Sequence, residues 1–81
     1  MRLKVSVGAP ESTASFDCFE VVGSLAVART ALSDFIKTTR EANSHSGEDV
    51  SGYASALQLA RRAEVGTSIV FGGLRHEIES F

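Results

Sequence analysis

Residues 67–81 decide how the rest of the chain is read: Thr67-Ser68-Ile69-Val70-Phe71-Gly72-Gly73-Leu74-Arg75-His76-Glu77-Ile78-Glu79-Ser80-Phe81. Two runs of β-prone residues, 67–71 and 74–81, flank Gly72-Gly73. A two-residue loop of this kind suits a type I′ hairpin, because both positions need positive φ and glycine adopts it without a steric penalty. The loop length then fixes the register. Phe71 faces Leu74, Ile69 faces His76, and Thr67 faces Ile78. All six lie on one side, the expected core side, while Ser68, Val70, Arg75 and Glu77 lie on the other.

Working outward, residues 2–7 alternate in the same way. Leu3, Val5 and Val7 share one face; Arg2, Lys4 and Ser6 share the other, the mark of a half-buried strand. The stretch 8–15 (GAPESTAS) holds the only proline and reads as a turn or short loop. Residues 16–22 (FDCFEVV) read as a second strand with imperfect alternation. Phe19 and Val21 share a face with Asp17, and Phe16 and Cys18 share one with Glu20, which a bulge or two-sided burial accounts for.

Between the hairpins the period changes to that of a helix. Ser24 is a plausible N-cap, and Leu25, Ala28, Leu32, Phe35 and Ile36 make one apolar stripe in a helix expected to reach about Asn43. The stretch 43–49 (NSHSGED) reads as a loop. A second helix is expected to follow, capped by Asp49 or Ser51 and ending before Gly66, with Tyr53, Ala56, Leu57 and Ala60 on its apolar side. Its alanines imply close approach to a neighbouring helix or sheet. The order is β-β-α-α-β-β. The fold class is α+β, one domain over residues 1–81, with a four-stranded antiparallel sheet and both helices on one face. The opposite face, with Arg2, Lys4, Ser6, Ser68, Val70, Arg75 and Glu77, is mostly polar and expected to be solvated.

Composition narrows the function classes. A domain of 81 residues buries only about 60–65% of its unfolded surface, so its stability is marginal. Cys18 is the single cysteine, so neither an intrachain disulfide nor a multi-thiolate zinc site can supplement the core. Eight basic residues face ten acidic ones, and the pI is about 5.6. A nucleic-acid-binding domain draws most of its affinity from neutralising phosphates. The scattered cations here make nucleic acid an unexpected ligand. The start Met1-Arg2-Leu3-Lys4-Val5 lacks the long apolar stretch of a secretory signal, and the apolar runs are too short to span a membrane, so a cytoplasmic location is the default expectation.

Few residues invite a chemical reading. His45, with Glu48 and Asp49 nearby, is a conceivable metal set, but a loop supplies no convergent geometry, and the carboxylates suit a helix start. His76 reads as a core-edge histidine and Cys18 as a small apolar strand residue. No motif marks a catalytic set, a cofactor or a metal, and the chain reads as a non-enzyme. Gly72-Gly73 precedes a strand, so it is no phosphate loop. Arg61-Arg62 is the densest positive charge. It reads as helix-end cations complementing the dipole or as an interface anchor for carboxylates. Tyr53 suits core or interface. Phe81 falls on the face of Arg75, Glu77 and Glu79, and the last strand reads as an edge that invites pairing. A symmetric homodimer through an edge strand or an exposed helix would relieve the marginal core.

The functional expectation is a small non-catalytic protein-interaction module, an inhibitor or antagonist that covers a partner protein. Its candidate contacts are Arg61 and Arg62, with Glu48, Asp49, Glu64, Glu77 and Glu79 facing a basic partner surface. In size and acidic balance it resembles phage-encoded inhibitors of host defence. The alternative is a nucleic-acid-binding module that uses the open sheet face, although that face lacks the interior aromatics on which bases stack.

Overall fold

The computed structural model describes residues 2–11 and 15–80, with the backbone alone at residues 15–17, 19 and 22. The expectation for Phe81 and part of the loop after Gly8 lie outside the described residues. The elements in chain order are β1 (Arg2–Gly8), β2 (Ser15–Val22), α1 (Leu25–Ser46), α2 (Tyr53–Arg61), β3 (Ser68–Phe71) and β4 (Leu74–Ser80). This is the α+β order β-β-α-α-β-β, with all four strands antiparallel in one sheet.

The glycine hairpin sets the register as its length requires. Phe71 pairs with Leu74, Val70 with Arg75, Ile69 with His76 and Ser68 with Glu77. Gly72 and Gly73 both hold positive φ, 61° and 77°. Strand order is β2-β1-β4-β3. The first and last strands therefore meet at the centre, with Val5 opposite Ile78 and Val7 opposite His76. The expected edge position of the last strand is overturned: β4 is enclosed by β1 and β3, and the edges are β2 and β3. The imperfect alternation at Phe16 and Asp17 coincides with a register shift between Val7 and Gly8, as an extra residue in the strand demands.

Ser24 caps α1, its side chain accepting from the Val27 amide at 3.4 Å. The helix runs to Ser46, beyond the expected end at Asn43. The reason is local. Ser46 Oγ bonds the Ala42 carbonyl at 3.1 Å, and Gly47, at φ 75°, closes the end by donating to the carbonyls of Asn43 and Ser44. His45 therefore belongs to the last helical turn, its Nδ1 3.0 Å from the Glu41 carbonyl, and not to a loop.

The second helix is shorter at both ends than expected. Its N-cap is Gly52, which offers no side chain, and it stops at Arg61. Asp49 does not cap it. Its carboxylate accepts from the Ser51 amide at 2.9 Å and hydroxyl at 2.8 Å, a local turn that competes with helix initiation. These bonds hold the Asp49 carboxyl below the usual carboxylate range. Gly66 lies beyond the helix; its amide joins the sheet through the Ile78 carbonyl at 2.7 Å.

The core fills the space between the sheet and the helices. Leu3, Val5, Val21, Ile69, Phe71 and Ile78 from the sheet meet Ala28, Leu32 and Ile36 of α1 and Ala56 and Ala60 of α2. Ala56 and Ala60 of α2, with Ala63 just after it, are buried in this layer. The sheet's other face is less solvated than its sequence suggests. Arg75 is buried there: its Nε bonds Glu77 Oε1 at 3.1 Å and its Nη1 bonds the Ala9 carbonyl at 2.8 Å. Ser6, opposite Glu77 in the register, is fully buried, and its hydroxyl finds no hydrogen-bond partner among the described residues.

Candidate functional site

The sequence candidates do not gather into one surface. Glu77 is bound to Arg75 on the sheet face, and Glu79 reaches Lys4 at 3.2 Å on the same face. Glu64 follows α2 and meets Arg29 Nη2 at 3.3 Å. Glu48 and Asp49 lie in the turn between the helices, beside Asn43, Ser51, Gly72 and Gly73. The acidic residues are thus divided among three regions, and several already have cationic partners.

Arg61 and Arg62 are exposed at the end of α2. Arg61 lines a shallow groove of about 430 Å³ shared with Ala26, Arg29, Thr30, Ser33, Asp34 and Lys37 of α1. A second depression, of about 300 Å³, continues from Arg61 to Arg62 and Gln58. One wall is fixed by Arg29, whose Nε donates to the Ala63 carbonyl at 2.7 Å. That bond and the Glu64 ion pair tie α1 to the segment after α2.

The pairing of the cations singles this groove out. Arg2, Lys4, Arg29 and Arg75 each face a carboxylate. Arg40 lies over the Tyr53 ring, 4.8 Å from its centroid. Lys37, Arg61 and Arg62 have no ion pair or hydrogen bond among the described residues, and all three border the groove or its continuation. Asp34 is the one acidic residue lining it. An overall acidic chain thus concentrates its unsatisfied positive charge on the outer side of the helical layer. Sequence reasoning singled out Arg61 and Arg62 but missed Lys37 and Arg29, which belong to the other helix and join them only through the α1–α2 packing.

Tyr53 is half-buried and packs against Phe71, with centroids 5.8 Å apart and the rings tilted by 44°, so it belongs to the core margin. Cys18 is exposed, not buried: it lies on the edge strand β2, opposite Ser6 on the face away from the helices. His76 is fully buried. Its Nδ1 is 3.3 Å from the Ile69 carbonyl, which can only accept, so Nδ1 carries the proton. Nε2 lies 2.8 Å from the Thr39 hydroxyl, whose single proton is shared between Nε2 and the Phe35 carbonyl at 3.1 Å. Burial lowers its pKa below 6.5, opposed by the carbonyls of Ile69 and Leu74. Among the described residues no three metal-ligating side chains come together, and no helix is long and apolar enough to cross a membrane.

Fold and groove together define an α+β protein with a cationic helical face. No family model, curated protein or solved structure matches the chain.

Proposed function

We infer that this chain is a non-catalytic interaction module that binds a protein partner through the outer face of its helical layer and acts by covering that partner, as an inhibitor or antagonist. One observation carries the reading: Lys37, Arg61 and Arg62, the three cations without partners among the described residues, border two adjoining depressions that share Arg61. Unpaired arginines beside a groove are matched to partner carboxylates, which they bind in bidentate geometry. The face of α1 and α2 therefore takes precedence over the dispersed Glu48, Asp49, Glu64, Glu77 and Glu79. What supports this reading over the nucleic-acid alternative is that Arg2, Lys4 and Arg75 on the sheet face each have a glutamate beside them.

The test is affinity capture from lysate with the tagged chain and with the Arg61→Glu, Arg62→Glu double variant, each with and without nuclease. The expected result is one protein recovered in stoichiometric amount despite nuclease and lost with the charge reversal. Recovery that vanishes on nuclease treatment, or that is indifferent to the reversal, would overturn the reading.

A further inference from the structure

The two edges of the sheet are built differently. β2 carries Asp17 and Glu20 in its sequence and a register shift against β1, features that discourage further strand pairing. β3 has neither. Its four residues, Ser68-Ile69-Val70-Phe71, include no charge and no proline, and its ladder to β4 is regular. Antiparallel ladders alternate bonded and non-bonded pairs, and a two-residue loop makes its flanking pair a bonded one. Phe71 and Ile69 therefore bond β4, and Thr67 does the same through its carbonyl, which accepts from the Ile78 amide at 3.2 Å. The amides and carbonyls of Ser68 and Val70 point out of the sheet edge.

We propose that β3 pairs with β3 of a second copy of this chain, joining two sheets into one of eight strands across a two-fold axis. The segment is self-complementary in antiparallel register. Centring the axis on Ile69 sets Ser68 beside Val70 of the second copy and Val70 beside its Ser68. Both are outward-pointing positions, so the pairing makes four backbone hydrogen bonds across the axis. No like charges meet, and Ile69 faces its own counterpart on the core side. The surroundings suit burial against a second copy. Val70 is 63% exposed, and Leu59 on α2 is 50% exposed. At about 100° per residue, Leu59 lies roughly 160° around α2 from Arg61. Arg61 lines the groove toward α1, so Leu59 occupies the flank toward the β3 edge, where the second copy's α2 arrives. The part of the groove lined by Arg61 and α1 lies on the opposite flank and stays open in the dimer, whereas Arg62, three residues after Leu59, borders the junction. This pairing rests on the sheet edge alone and stands or falls separately from the partner reading.

Sedimentation velocity of the purified full chain over a wide concentration range tests it. The expected result is a species of twice the 8.6 kDa chain mass, its fraction growing with concentration. Val70→Pro deletes one outward N–H without touching the β4 ladder, and Val70→Lys places a cation at the junction. Both are expected to sediment as monomers with the wild-type circular dichroism spectrum. Should either variant lose its fold, hydrogen exchange on the wild-type chain gives a second readout: the Ser68 and Val70 amides gain protection as concentration rises. A wild-type monomer at every concentration, a dimer undiminished in both variants, or unprotected Ser68 and Val70 amides throughout would overturn the proposal.

Discussion

Gly72 and Gly73 occupy one turn but have different surroundings. Each needs positive φ, so alanine at either position costs about 1–2 kcal/mol. A β-carbon on Gly73 would meet nothing within 4 Å, whereas one on Gly72 would come 2.6 Å from Asn43 Nδ2 and 2.8 Å from Thr39 Cγ2. Asn43 also donates to the Gly72 carbonyl at 3.2 Å, so the end of α1 is latched to the hairpin. Gly72→Ala is therefore expected to lose a further ~1–3 kcal/mol beyond Gly73→Ala, as read by urea denaturation. His76 adds a pH dependence. Its folded-state pKa is lowered from 6.5 by burial, so below that value the unfolded chain binds more protons than the folded one. Stability is fully present above pH about 6.5 and falls as pH drops from there toward the folded-state pKa. His76→Leu is expected to flatten this slope in denaturation curves taken between pH about 7.5 and about 5.5. The need for glycine in the turn was legible in sequence. The latch to Asn43 was not, because it joins residues 29 positions apart.

At the scale of elements, helical period located both helices and misjudged their ends. The serines and histidine of 43–46 look like loop residues by composition, yet back-bonding of Ser46 and the Gly47 cap extend the helix. Asp49 looks like a cap, yet it closes a turn with Ser51. The apolar stripe of α1 was read correctly but not its gradient. Leu32 is fully buried, whereas Phe35 is only packed against the margin of the core. Leu32→Ala is expected to destabilise by about 2–5 kcal/mol. Phe35→Ala, at a partly exposed site, is expected to cost clearly less, contrary to the equal weight that spacing alone gives them. Thermal unfolding of the two variants side by side checks the order; equal losses would show that Phe35 is buried as deeply as Leu32.

For the whole molecule, the sheet order decides which surfaces are available. Placing β4 inside the sheet removes it as a pairing edge and leaves the uncharged β3 in that role. Packing α1 beside α2 brings Lys37 and Arg29 to Arg61. Arg61→Glu with Arg62→Glu changes two exposed positions, so the melting temperature is expected to stay within a few degrees of wild type while partner capture is lost. A fall in melting temperature comparable to that of Leu32→Ala would mean that the pair supports the fold and not a partner. By itself, the sequence determined the element order, the hairpin register, the core stripe and the absence of a disulfide framework. These follow from period, turn chemistry and residue type, which act over a few neighbours. Only the tertiary structure decided the strand order, the burial of Arg75 and Ser6, the exposure of Cys18 and the convergence of unpaired cations. Each of those depends on contacts between residues distant in the chain, and no local preference encodes which distant partners will meet.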